Sequence, residues 1–171
     1  MKGYIHVYTG DGKGKTTAAI GLSLRAAGAG LHVYFAQFLK QGNYSELIAL
    51  KRFSDKITVQ QFGTGRFVKG NPSIADKDSA HEGLNCVKRA MFSDEFQMIV
   101  MDEVNLAVYF NIIEETHLLE MLNQKPEDME LIITGRNATP TLIERADLVT
   151  EMKAIKHYYS HGVVARVGIE K

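Results

Sequence analysis

GYIHVYTGDGKGKTTAAIGLSLRAAG, residues 3–28, opens on a short aromatic and β-branched run and crosses a loop containing Gly10, Gly12 and Gly14. It then spaces Ile20, Leu24 and Ala27 at helical intervals before stopping on Gly28. The pattern predicts a strand over 3–8, a loop, and a helix over 16–28. The loop reads Thr9-Gly10-Asp11-Gly12-Lys13-Gly14-Lys15-Thr16-Thr17. Its glycines let backbone N–H groups converge on phosphate oxygens, and the helix N-terminus adds the positive end of its dipole. Lys15 supplies a point charge, and the Thr16 hydroxyl is a ligand for Mg²⁺. All nine residues are therefore candidates for binding a nucleotide polyphosphate. The usual pattern GxxxxGK[ST] wants glycine at position 9, where this chain has Thr9, with Gly10 one place late. The loop is a variant in an orthodox setting, strand before and helix after.

The same alternation continues along the chain. Strands are predicted over 31–38, 57–62, 97–101 and 131–134, with helices over 45–53, 73–92, 114–123 and 141–146. Two closing strands are predicted over 148–152 and 163–169. Strands alternating with helices imply an α/β fold, a mostly parallel sheet with helices on both faces. No repeat, linker or boundary interrupts residues 1–171, which read as a single domain. Ligands of such sheets bind at the carboxyl ends of the strands, so the residues after each strand carry the functional reading.

The run QMIVMDE ends a buried-strand pattern in two acids, Asp102 and Glu103. Beside a phosphate loop a carboxylate holds Mg²⁺ directly or through water, and the spacing leaves open which of the two does so. Thr134-Gly135-Arg136 also follows a strand, which puts Arg136 within reach of polyphosphate oxygens in the same crevice. Residues 63–79, GTGRFVKGNPSIADKDS, form a polar stretch longer than most connections. A long loop at a strand's carboxyl end commonly serves a ligand, and Phe67 between Arg66 and Lys69 suits a large one with an apolar face and polar rim. His157 and His161 are four apart, but neighbouring Tyr158, Tyr159 and Gly162 point to a turn, and a third metal ligand is lacking. His6 and His32 read as strand residues that pack or pair, and His81 and His117 as helix-surface residues. Cys86, between Leu84 and Val87 on a helix, reads as a small inert core residue.

Composition narrows the class. Hydrophobic residues make up 45% and charged residues 23%, which suits a compact globular chain rather than a disordered one. Twenty basic residues balance twenty acidic ones, so no global field draws the protein to nucleic acid or anionic membrane. A single cysteine builds neither an internal disulfide nor a zinc ribbon and suits a reducing compartment. No apolar run reaches the roughly 18 to 20 residues of a membrane span, and the first ten residues lack secretory-signal character. The expected address is the cytoplasm, with no nucleic-acid or membrane partner.

With TGDGKGKTTAAIGLSLRAAG, VYFAQFLKQG, IVMDEVNLAVYF, LIITGRNATPTLIERADLVTEM and IKHYYSHGVVARVGIE in hand, the sequence resembles the ATP:corrinoid adenosyltransferases of the cobalamin-pathway P-loop type. The likeness covers nearly the whole chain, and its motifs are specific in combination and order. It implies a RecA-like P-loop NTPase fold, a homodimer, and transfer of the 5′-deoxyadenosyl group of MgATP to the cobalt of a reduced corrinoid, with release of inorganic triphosphate. ATP would bind in reverse orientation to other P-loop proteins. Lys15 and Arg136 would then act catalytically on the departing triphosphate, with Mg²⁺ on Thr16 and Asp102 or Glu103. A reduced flavoprotein is the implied electron donor. Relatives displace the corrinoid's lower axial ligand with aromatic side chains, some carrying Gly-Phe-x-Trp. This chain has Gly65-Arg66-Phe67-Val68 and no Trp, so Arg66 and Phe67 are its corrinoid-binding candidates. Some relatives also carry an N-terminal extension before the first strand. Here the strand comes almost at once, and closure of the site is expected from elsewhere, such as a partner subunit.

The same loop and acids would also serve a small-molecule kinase or ATPase, or a RecA-like nucleotide switch. The products separate these readings: triphosphate for the transferase, ADP for the others.

Overall fold

A computed structural model describes residues 2–65 and 71–170 of the chain. Among the described residues six strands make one sheet in the order β3-β2-β4-β5-β1-β6, and every pairing is parallel. They are β1 (Ile5–Thr9), β2 (Val33–Phe38), β3 (Ile57–Phe62), β4 (Met98–Asp102), β5 (Glu130–Thr134) and β6 (Leu148–Glu151). The helices are α1 (Lys15–Gly28), α2 (Ser45–Leu50), α3 (Ile74–Met91), α4 (Val104–Tyr109), α5 (Glu115–Asn123) and α6 (Pro140–Arg145).

The period-2 alternation of the strands divides the apolar side chains between two cores. On one face Ile5, Val7, Ala36, Phe38, Ile99, Met101, Leu131 and Ile133 pack against Leu84 and Val87 of α3, Val104 of α4, Leu118 and Leu122 of α5, and Leu142 of α6. On the other, Val33, Phe35, Met98, Val100 and Ile132 pack against Ala19 and Ala26 of α1 and Leu50 of α2. Helices therefore cover both faces. Each fully buried Leu, Ile or Phe contributes roughly 1.5–3 kcal/mol, so the interleaved strands fix the register firmly.

Local signals set the helix boundaries. Ser73 caps α3 in a reciprocal box with Asp76, the Ser73 hydroxyl accepting from the Asp76 N–H and the Asp76 carboxylate accepting from the Ser73 N–H. Thr139 accepts from the Leu142 N–H and Pro140 takes the first turn of α6. The segment predicted as one helix over 45–53 divides into α2 and a 3₁₀ turn, Lys51–Phe53.

The structure departs from the sequence expectation at two places. Residues 163–169, predicted as a closing strand, pair with no strand and lie exposed on an irregular tail. Gly162 just before the run and Gly168 within it, both with positive φ, turn the chain out of an extended path. The short helix α4 was not predicted. It begins directly after Glu103, whose φ of 63° turns the chain out of β4 into the helix.

Candidate functional site

The carboxyl ends of β1, β2, β4 and β5 converge on one crevice. Because β5 lies between β1 and β4, Thr134 at its end stands between the glycine-rich loop and the acidic pair. The loop itself rests against the chain just after β6. The Gly12 N–H donates to Met152 O at 2.6 Å, and the Met152 N–H donates to Thr9 O at 2.8 Å. A Cβ at Gly12 would fall 2.6 Å from Met152 O, so only glycine permits this approach. Gly14, at φ 121°, turns the chain into α1 in a conformation that side-chain-bearing residues rarely adopt.

Lys15, nearly buried, folds over the loop and donates from Nζ to Gly10 O at 2.6 Å and Gly12 O at 2.8 Å. Burial lowers its pKa, opposed by the field of Glu103. An ammonium held by two neutral carbonyls keeps its charge for an incoming anion. Thr16 donates its hydroxyl to Asp102 Oδ1 at 2.7 Å, and Thr134 donates to the same oxygen at 2.7 Å. The other oxygen, Oδ2, accepts from Lys40 Nζ at 3.0 Å and Gln37 Nε2 at 3.4 Å. Fully buried Asp102 thus accepts four hydrogen bonds.

Glu103 differs from its neighbour. Its backbone N–H donates to Thr134 Oγ1, but its carboxylate accepts no hydrogen bond from the described residues. Burial and then Asp102 raise its pKa, against the fields of Lys40, Lys15 and Arg136. Three cations thus act on one carboxylate that none of the described residues engages. Arg136 is exposed and forms no ion pair among the described residues, so its guanidinium is available to a ligand.

The remaining loop residues separate by environment. Asp11 and Thr17 are exposed at the mouth. Thr9, where the usual pattern has glycine, turns inward and accepts from the Ala138 N–H at 3.2 Å, fixing the segment that carries Arg136. Lys13 points to the tail: Nζ lies 2.9 Å from Glu170 Oε1 and 3.2 Å from the Tyr158 hydroxyl. Glu170 also accepts from the Arg166 N–H at 2.9 Å, and the Arg166 guanidinium lies over the Tyr158 ring. The tail is thereby latched to the loop. Arg66 and Phe67 lie outside the described residues.

Sequence reasoning missed Lys40, Gln37 and Thr134. The first two end a buried run much as MDE and TGR do, so position at a strand's carboxyl end was the available signal. The histidines form no metal group, and no cluster of three or more His, Cys, Asp or Glu able to hold a metal occurs among the described residues. His6, in β1, pairs with Glu130 at 2.7 Å as a strand residue, whereas His32 lies just before β2, where its ring meets Lys56 Nζ at 2.9 Å. Cys86 is not fully in the core. It sits half-buried at the core's edge, where Sγ meets the Glu82 carboxylate and the Arg89 guanidinium.

A family model described as ATP:corrinoid adenosyltransferase BtuR/CobO/CobP matches residues 1–170. The chain is 30% identical to the corrinoid adenosyltransferase of Pseudomonas aeruginosa over 170 residues, covering 99% of this chain and 84% of that protein. It is 35% identical to the corrinoid adenosyltransferase of a Sinorhizobium species, covering 99% and 80%, and 32% identical to that of Escherichia coli, covering 99% and 86%. Among solved structures, a KaiC-like protein from Pyrococcus horikoshii superposes with a TM-score of 0.58 at 18% identity, over 88% of this chain and 73% of that one. That likeness supports the α/β RecA-like fold.

Proposed function

The chain belongs to the ATP:corrinoid adenosyltransferases and transfers the adenosyl group of ATP to a reduced corrinoid; we propose that it does so by stabilising inorganic triphosphate as the leaving group in the crevice after β1, β4 and β5. The observation that supports this most is the Lys15 ammonium folded over the glycine-rich loop, 2.6 Å from Gly10 O and 2.8 Å from Gly12 O, next to Thr16, whose hydroxyl donates to the buried Asp102. The cobalt(I) lone pair of the corrinoid attacks C5′ of ATP, the C5′–O bond breaks, and its electron pair departs on the triphosphate oxygen. Cobalt becomes formally Co(III). The attacking electrons come from the substrate, so the protein's work is to hold both substrates in line, exclude water and neutralise the departing polyanion. Lys15 leaves the Gly10 and Gly12 carbonyls for phosphate oxygens, and Arg136 closes on the same group from the end of β5. ATP lies reversed relative to phosphoryl-transfer enzymes, with C5′ toward the corrinoid.

The donors at this site are oxygens, which suit a hard divalent cation such as Mg²⁺. Thr16 and Glu103 would hold it, and Asp102 would orient Thr16, whose hydroxyl proton it already accepts. When bound, the ion supplies charge that stabilises the leaving triphosphate.

Residues 1–171 act as a single domain, in a homodimer, in the cytoplasm, with a reduced flavoprotein supplying electrons to the corrinoid. Among the described residues no helix is long and apolar enough to cross a membrane. Binding of inorganic triphosphate to wild type and Lys15→Ala by calorimetry tests the site. Wild type binds and the variant loses affinity by roughly a hundredfold, the loss expected for a buried charge-assisted contact. Equal affinities would remove Lys15 from the site.

A further inference from the structure

Lys40 belongs to none of the phosphate-site motifs read from the sequence, yet the fold delivers it to the centre of the crevice. After β2 ends at Phe38, Leu39 adopts φ 58° and its N–H donates to Phe62 O at 2.7 Å. This left-handed turn directs the chain at the carboxyl end of the sheet, where the Lys40 ammonium reaches Asp102 Oδ2 at 3.0 Å. The Tyr44 ring lies 5.8 Å from Nζ and flanks the ammonium. Glu103 and Glu46 also lie within its electrostatic reach. The pair is lopsided: Asp102 is fully buried, whereas the Lys40 side chain is 21% exposed and open to the crevice.

Asp102 does not depend on Lys40 for hydrogen bonds, since Thr16, Thr134 and Gln37 also donate to it. A buried ion pair kept for stability alone gains little over an apolar replacement of similar volume. A partly exposed ammonium 3.0 Å from a carboxylate that three other groups already satisfy is better explained by an anion that it must meet.

We propose that Lys40 is a triphosphate-binding residue, an ammonium held on Asp102 until the polyanion arrives and then transferred to a phosphate oxygen. The inference rests on the reading that the loop after β1 receives the triphosphate. The exchange replaces one ion pair with another and forms or breaks no covalent bond. It delivers a third cation to the leaving group and frees Asp102 Oδ2.

Titration of inorganic triphosphate and of AMP, each with Mg²⁺, into wild type, Lys40→Met, Lys40→Gln and Lys15→Ala tests it. Melting curves establish that each variant folds. Loss of one charge-assisted contact weakens triphosphate binding by roughly ten- to a hundredfold in Lys40→Met, with a much smaller change for AMP. Lys40→Gln, which retains a hydrogen bond to Asp102, shows the same selective loss and decides the matter if the methionine variant is unstable. Wild-type triphosphate affinity in a folded Lys40 variant, with Lys15→Ala still defective, overturns the role of Lys40 and leaves the loop reading intact. Equal losses for triphosphate and AMP overturn it too, because they mark a purely structural role. Failure of the wild-type protein to bind triphosphate removes both.

Discussion

Replacing Asp102 by Asn leaves the side chain's shape almost unchanged and reverses the hydrogen-bonding sense of one atom. Oδ1 can still accept from Thr16 and Thr134, but the new amide would point two hydrogens at Lys40 Nζ and Gln37 Nε2, which are themselves donors. Removing one partner of a fully buried ion pair costs about 3–5 kcal/mol. Lys40 is 21% exposed and turns partly to water, which brings the expected cost to about 2–3 kcal/mol. For a chain of this size each kcal/mol lowers Tm by about 2–4 °C, so Asp102→Asn should melt roughly 5–10 °C below wild type without ligand. Lys40→Met in the Asp102→Asn background should restore much of the loss, giving a coupling energy of about 1.5–2.5 kcal/mol in a double-mutant cycle. Urea denaturation of wild type, both single variants and the double variant measures it. Additivity within about 0.5 kcal/mol would refute the reasoning, because Lys40 and Asp102 would then not interact in the folded state.

Arg136→Ala should leave stability within about 0.5 kcal/mol of wild type, since the side chain is exposed and unpaired among the described residues, while kcat falls roughly a hundred- to a thousandfold. Melting curves and steady-state adenosylation check both halves. Gly12→Ala should weaken the loop severely, because its Cβ would lie 2.6 Å from Met152 O, and triphosphate binding read by calorimetry should fall with it. Arg166, then Tyr158 and Lys13, hold the Glu170 carboxyl well below its ordinary pKa. A depressed carboxylate pKa gives stability that is full above the unfolded-chain value and fades as pH falls toward the folded one, so the tail latch should loosen on acidification below the ordinary Glu range. Hydrogen exchange over residues 157–170 should rise there, and Glu170→Gln should raise it already at neutral pH.

The sequence made the loop legible because its chemistry is local: Gly10, Gly12, Gly14, Lys15 and Thr16 lie within one turn of strand and helix. The positions of Asp102 and Arg136 were legible for a related reason, each following an apolar run whose end must lie at the sheet's carboxyl edge. The strand at 57–62 matched residue for residue. Other features depended on long-range placement. The latch between Lys13 and Glu170 joins residues far apart in the chain, and local pattern carries no trace of it. Residues 104–108 gave no separate helix signal, because α4 is short and starts from the left-handed turn at Glu103. Residues 163–169 are rich in β-branched residues as a strand would be, but glycines with positive φ and the absence of a strand partner leave them as tail. Lys40 escaped notice because a lone lysine beyond a strand is ordinary. Its meaning comes from Asp102 lying one strand away.

The central claim is that the protein breaks the C5′–O bond of ATP and binds the intact triphosphate as it leaves. Anaerobic protein mixed with chemically reduced cob(I)alamin and MgATP, with the corrinoid followed by its spectrum and the phosphate products separated by ion exchange, tests this most directly. Adenosylcobalamin and inorganic triphosphate should form in equal amounts. ADP or orthophosphate forming while the corrinoid spectrum stays unchanged, repeated with cobinamide as acceptor, would contradict it.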